Sequence, residues 1–422
     1  MSLPINKNPA MDLGTKRRFV AAEVRRDFPA LLQEVRGKPL VYLDNANTTQ
    51  KPNSVIDSTT DYYQHDNANV HRATHTLSER STQQFDNVRQ KIKHFINAAS
   101  TKEIIFTRGT TESINLVASS FGRAFLRTGD EILISYMEHH SNIVPWQILC
   151  EQSGALLKVI PINDAGELDL SQIDTLLTSK TKLLALTHAS NALGTVNPIQ
   201  KLIAQAHHVG AKVLIDGAQA IPHFQVDVQA LDCDFYVFSG HKIYGPTGTG
   251  VLYGKEALLE QMPPYQGGGD MILSVAFEKT HYADLPAKFE AGTPNIAGVI
   301  ALGAALDYLD QFNFTDIQAH EKHLLAYTHE LAPSIKGLRP IGTAQQKIGV
   351  FSFVFDDIHA HDVGTIVDQQ GVAIRAGHHC AMPVMKRMQV PATARASFAL
   401  YNTLDDVDRL FAALRETRRF FT

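Results

Sequence analysis

Lys242 ends the run Phe235-Tyr-Val-Phe-Ser-Gly-His-Lys242, in which four apolar residues give way to a polar turn and then to the glycine-rich Gly245-Pro-Thr-Gly-Thr-Gly250. Four consecutive apolar residues read as a strand covered on both faces, and the polar turn is where such a strand opens onto a ligand crevice. An amine placed there is partly desolvated, its pKa falls, and it is suited to forming a Schiff base with a carbonyl group. An isolated Ser-x-x-Lys is more often a lysine closing a hairpin, so other segments must decide.

Three further segments could surround such a lysine. Arg108-Gly-Thr110-Thr111-Glu112 separates a predicted strand from the helical Ser113-Ile-Asn-Leu-Val-Ala118. Its hydroxyls and first backbone N–H groups would converge at a helix N-terminus, a ready phosphate site, although alone the segment reads more readily as an N-cap on a turn. Leu214-Ile-Asp216-Gly-Ala-Gln219 sets Asp216 at the carboxyl end of a buried strand, where an unpaired carboxylate is expensive and needs a cation. The protonated ring nitrogen of pyridoxal phosphate is such a cation, since that ring must stay protonated to accept electrons; an arginine or a metal ion would also serve. Met137-Glu-His139-His140-Ser-Asn142 follows another strand end, and an imidazole there could stack on an aromatic ring or pass a proton. Paired histidines also raise zinc, but the 19 histidines show no Cys-x-x-Cys or His-Glu-x-x-His spacing, and no metal is expected.

Arg375-Ala-Gly-His-His-Cys380-Ala-Met-Pro383 places a thiol in a short loop beside Gly377 and two histidines, neighbours that could favour the thiolate and leave it reachable. Cys150 and Cys233 sit in apolar surroundings and read as packing residues. Arg395 could clamp a substrate carboxylate with its planar fork, or form a surface ion pair.

The elements that must position these groups follow from pattern and composition. The 422 residues are 44% hydrophobic, enough for two or three domains with a full core. Thirty-nine basic and 43 acidic residues are interspersed for a net charge of −4, so nucleic acid is not an expected partner. Three scattered cysteines argue for a reducing compartment, and no apolar run suggests a leader or a membrane span, so a cytoplasmic location is expected. Short apolar runs at Glu103–Thr107, Glu131–Tyr136, Leu183–Thr187, Lys212–Asp216 and Phe235–Phe238 predict strands. Ile199, Leu202, Ile203 and Ala206 fall on one helical face ahead of Gly210, which predicts a crossover helix and parallel neighbours. Val299 to Leu309 predicts a long helix and Val350–Phe355 a strand, and Thr403 with Asp406 forms a capping box for a last helix through Leu414. Residues 1 to about 18 are polar and aperiodic and read as a flexible arm.

Taken in order, these motifs resemble the SufS-like branch of the pyridoxal-phosphate-dependent cysteine desulfurases. The resemblance runs from Leu43-Asp-Asn-Ala-Asn47-Thr-Thr-Gln-Lys-Pro52 and Asn69-Val-His-Arg72 through the Arg108, Met137 and Ser239 segments to Ala291-Gly-Thr293-Pro-Asn295 and Gly377-His-His-Cys-Ala-Met-Pro383. It implies the fold type I transferase architecture of class V: an α/β large domain with a mainly parallel seven-stranded sheet at residues 38–307, and a smaller α+β domain at 308–422 carrying Cys380. Residues 1–37 would form the arm and a segment packing with the small domain. It implies that Lys242 carries the cofactor, Asp216 pairs with its ring nitrogen, His139 stacks on the ring and Gln219 contacts the phenolic oxygen. Thr110, Thr111, Ser239 and His241 would surround the phosphate, with Thr293 reaching across from the second subunit of a homodimer. Arg395 and Asn191 would take the substrate carboxylate, Cys380 would accept sulfur from L-cysteine as a persulfide, and Arg375 would sit near that loop. A SufE-like or SufU-like acceptor and a role in iron–sulfur cluster assembly are implied as well. Selenocysteine lyase, with L-selenocysteine as substrate, and aminotransferases share the same lysine and aspartate. Two positions depart from the family pattern: Asn47 stands for an alanine and Ala73 for a glycine, both near the expected substrate entrance.

Overall fold

The computed structural model describes residues 16–421. The arm expected at residues 1–18 lies mostly outside them, but its end is tied down. Lys16 pairs with Asp310 at 2.7 Å, Arg17 pairs with Asp27 at 2.7 Å, and the Arg17 backbone N–H donates to the Gln311 carbonyl at 2.7 Å.

Seven strands build the main sheet: β1 (Ile104–Thr107), β2 (Glu131–Ser135), β3 (Leu156–Ile160), β4 (Thr181–Thr187), β5 (Lys212–Asp216), β6 (Phe235–Ser239) and β7 (Gly250–Gly254). They lie in the order β1-β7-β6-β5-β4-β2-β3. Only β7 runs antiparallel to its neighbours, so the sheet is mixed but mainly parallel, as expected. Alternate residues enter two cores: Leu184, Leu186, Val213 and Ile215 face one layer, while Leu183, Ala185 and Leu214 face the other. This two-sided burial is why the strands read as unbroken apolar runs. Helix α1 (Thr76–Phe95) and the crossover helix α3 (Ile199–His208) cover the first layer, and α2 (Thr110–Val117) belongs to the second. Helix α4 (Ile296–Asp310) is apolar on nearly every side and buried against α1.

The C-terminal part forms a four-stranded antiparallel sheet of β8 (Leu338–Ile341), β9 (Val350–Phe355), β10 (Arg375–Gly377) and β11 (Thr393–Ser397), in the order β8-β9-β11-β10. Helices α5 (Phe314–Leu331) and α6 (Leu404–Phe420) pack beside it around a separate core of Phe351, Phe353, Leu410 and Phe411. Helix α6 opens with the expected capping box, the Thr403 backbone N–H donating to Asp406 at 3.0 Å. Val41 and Leu43 also join this core, bringing the segment that carries Asp44 to Asn47 alongside β11.

Candidate active site

The carboxyl ends of β4, β5 and β6 open, with the turns after β1 and β2, onto one cavity of about 160 Å³. This is where parallel α/β sheets bind ligands. Thr110, Thr111, His139, Asn191, Asp216, Gln219, Ser239, His241 and Lys242 line it from the large sheet, and Arg375, Cys380 and Arg395 close it from the small domain. Thr293 is exposed and does not line this cavity.

Lys242 follows β6 in a single tight turn, Gly240–Lys242. Burial pushes its pKa down to about 8; Asp216 opposes that shift, while Arg395 and Arg375 add to it. Such an amine is neutral in an appreciable fraction near neutrality, which is what a nucleophile requires. Asp216 is 3% exposed and accepts from the Ala218 N–H at 3.0 Å; burial pushes its carboxyl up, against the pull of Lys242. A buried carboxylate to which no cation among the described residues is bonded calls for a positively charged ligand group.

His139 Nδ1 accepts from the Ser141 N–H at 3.1 Å, and burial, with Lys242 nearby, holds its pKa down at about 3. The ring is therefore neutral and carries its proton on Nε2. At the other end, Gly109 precedes α2 with φ 153°, and both the N–H of Thr110 and its Oγ1 reach Ser239 Oγ at 2.8 Å. Strand β7 presses on this turn so closely that a Cβ at Gly250 would stand 2.3 Å from Gly109 Cα. The result is a cup of hydroxyls and helix N-terminal N–H groups, a fit for phosphate.

Arg395 is 1% exposed and held by the Asn191 carbonyl at 2.8 Å and Asp44 at 3.2 Å, while its Nε has no partner among the described residues. Burial lowers its pKa to about 10. Two expected ligand contacts are engaged within the protein: Asn191 Nδ2 donates to the His379 carbonyl and Gln219 Nε2 to the Ala46 carbonyl, both at 2.6 Å.

The Cys380 loop is fastened from several sides. His379 and Cys380 are both left-handed, at φ 52° and 53°. The His140 N–H donates to the Cys380 carbonyl at 2.8 Å, and His379 Nε2 meets Thr393 Oγ1 at 2.8 Å. Cys380 itself is half-buried. Of the two flanking histidines, His379 does not carry a positive charge that would favour the thiolate. His378 is exposed, and His379 is buried with its pKa held down at about 3, chiefly by desolvation. The cations that sense the thiol are Lys242 and Arg395. Cys233 is buried in the core of one layer and Cys150 packs against the core of the other, as their apolar settings predicted.

Asn47, expected near the substrate entrance, lines the cavity and Ala73 does not, while Thr187, Ser141, His379 and Ala46 also line it and were not read as site residues. Thr187 ends β4, so the strand-end rule could have found it. Ala46 and Asn47 arrive through long-range folding, and no local pattern connects them with Lys242.

Residues 41–410 match the aminotransferase class-V family. The chain is 54% identical over 402 residues to a cysteine desulfurase of Serratia proteamaculans, covering 95% of this chain and 99% of that one. It is 52% identical over 397 residues to a cysteine desulfurase of Synechococcus elongatus, covering 94% of this chain but only 63% of that longer protein. The crystal structure of the Escherichia coli cysteine desulfurase CsdA (S-sulfonic acid) superposes with a TM-score of 0.90 at 40% identity, covering 96% of this chain and 100% of that one. By this family match over most of its length and its identity to named desulfurases, the chain belongs to the class-V aminotransferase family and, within it, to the cysteine desulfurases.

Proposed function

We propose that this enzyme uses pyridoxal phosphate to convert L-cysteine to L-alanine and takes the sulfur onto Cys380 as a persulfide. The observation that carries the reading is the opening of the Lys242 amine and the Cys380 thiol onto one cavity, with Asp216 and Arg395 on its walls. The buried carboxyl of Asp216, the cup beside Gly109 and the Nε of Arg395, unpartnered among the described residues, suit the ring nitrogen, the phosphate and a substrate carboxylate in turn.

When bound, the cofactor supplies an electron sink for the pair released at the substrate Cα. Lys242 would hold it and, as a free amine, would move the Cα proton. Asp216 would keep the ring nitrogen protonated, neutral His139 would lie against the ring, and Gln219 would serve the phenolic oxygen. Thr110, Thr111, Ser239 and His241 hold the phosphate, joined by Thr293 from the second subunit of a homodimer. Arg395 and Asn191 orient the substrate carboxylate, with Arg375 beside the reacting thiol. The Cys380 thiolate attacks the substrate sulfur, so that an S–S bond forms and the Cβ–S bond breaks. The electron pair of the broken bond stays with the carbon skeleton, which gains a proton and leaves as alanine. A SufE-like or SufU-like protein then collects the sulfur for iron–sulfur cluster assembly in the cytoplasm, as on the SufS-like branch. Residues 38–307 would carry the cofactor and 308–422 the thiol, and the described part of the segment before residue 38 meets the C-terminal part through the Arg25–Asp406 and Arg36–Asp368 pairs.

Alanine formation from L-cysteine, with a reducing thiol present, tests this in wild type and Cys380→Ala. Loss of alanine in the variant supports the reading, and undiminished turnover overturns it. L-Selenocysteine run in parallel identifies a lyase if its turnover survives the same substitution. Loss of visible absorbance in Lys242→Ala checks the cofactor linkage.

A further inference from the structure

The peptide that precedes Lys242 is held by an unusual concentration of donors. Four of them converge on the His241 carbonyl oxygen: Thr48 Oγ1 at 3.2 Å, Thr49 N at 3.1 Å, Thr49 Oγ1 at 3.1 Å and Lys51 Nζ at 3.0 Å. A carbonyl oxygen has two lone pairs, so this cluster exceeds what satisfying one acceptor requires. Thr49 Oγ1 in turn accepts from the Tyr244 N–H at 3.0 Å, gripping the turn on the far side of Lys242 as well.

Lys51 is the only charged member of the group. Its amine bonds two backbone carbonyls, those of Thr49 and His241, and among the described residues no carboxylate offsets it. Desolvating an amine that has no counter-charge is unfavourable, and burial holds this one down at about 7. His241 senses the same charge and lines the cavity beside Ser239.

We propose that Lys51 is a positioning residue for Lys242: by clamping the His241 carbonyl it fixes the direction from which the Lys242 amine enters the cavity, and it lends positive potential to the wall that would receive phosphate. The inference rests on the reading of Lys242 as the cofactor-bearing lysine. Lys51 lies behind the turn and does not line the cavity.

The test uses the full-length protein stripped of cofactor and titrated with pyridoxal phosphate by visible absorbance, followed by a pH titration of that absorbance. Lys51→Met should weaken cofactor affinity about tenfold, the usual worth of one well-placed hydrogen bond. It should also move the absorbance midpoint to higher pH, because the positive charge of the protonated fraction of Lys51 is lost while Asp216, Arg375, Arg395 and Cys380 are unchanged. Lys51→Arg should restore both readings. A folded Lys51→Met that binds and titrates as wild type, or that loses only melting temperature, overturns the proposal. If Lys51→Met does not fold, Lys51→Gln, which keeps a donor without the charge, takes its place: a shifted midpoint supports the proposal, and wild-type affinity and midpoint together overturn it. Wild type and Lys242→Ala run alongside. Absorbance surviving in Lys242→Ala would remove the underlying assignment, whereas a normal wild type matched by Lys51→Met removes only the role of Lys51.

Discussion

Arg375 and Arg395 stand directly opposite one another in the antiparallel pair β10–β11, and both line the cavity. Like charges at such paired positions destabilise a sheet by roughly 0.2–1 kcal/mol. The pair therefore holds positive potential on the cavity wall, where the proposed function would put a substrate carboxylate, at the expense of the fold. Replacing Arg375 with Gln should make the cofactor-free protein more stable by about 0.5 kcal/mol in urea unfolding, while KM for L-cysteine rises. A less stable Arg375→Gln would contradict this view of the pair.

Arg395 is gripped at two nitrogens, by the Asn191 carbonyl and by Asp44. A lysine keeps the charge but cannot span both partners and still present a planar fork. Arg395→Lys should raise KM for L-cysteine by about two orders of magnitude, the range for losing one charge-assisted buried contact, with a smaller change in kcat. Steady-state kinetics decide it, and an unchanged KM would remove Arg395 from the substrate site.

Lys242 links pH to stability. Its folded pKa, near 8, lies below the ordinary 10.5. Between those values the unfolded chain keeps a proton that the folded chain has lost, so stability increases as pH rises through this window, by at most about 1.4 kcal/mol per pH unit. Lys51 and Lys347 are also depressed and contribute in the same direction. Comparison with Lys242→Met isolates the single group: the cofactor-free variant should show a shallower rise from pH 8 to pH 10 in denaturant unfolding. Parallel slopes in the two proteins would mean that Lys242 is not desolvated.

The legible part of the site was the part built on strand ends. Lys212–Asp216 and Val350–Phe355 could be bounded from sequence because their residues are apolar in succession and buried on both faces or in one dense core. Strand β3 escaped notice because it is the sheet edge, with Leu156 and Val159 exposed, so burial imposed no clear pattern. Strand β7 escaped because its ends are glycines and it follows a glycine-rich turn. The consecutive left-handed residues His379 and Cys380 had no sequence signal either, since neither is glycine or asparagine. Their conformation is imposed from outside by His140, Asn191 and Thr393, which come from remote parts of the chain.

Strand β7 provides a last test of how the phosphate cup is shaped, because its two terminal glycines differ in what surrounds them. At Gly250 a Cβ would collide with backbone, the Cα of Gly109 at 2.3 Å, and backbone there cannot yield without moving the first turn of α2. At Gly254 the nearest atom is Leu259 Cδ2 at 2.9 Å, the end of a side chain that can rotate away. Gly250→Ala should destabilise the protein by about 2 kcal/mol, in the range for overpacking, and should weaken cofactor affinity because Thr110 is displaced from Ser239. Gly254→Ala should cost less and leave affinity unchanged. Melting temperature together with a pyridoxal phosphate titration separates the two effects. If both variants lost affinity equally, the defect would lie in the strand as a whole, and the close approach of Gly250 to Gly109 would not be what shapes the cup.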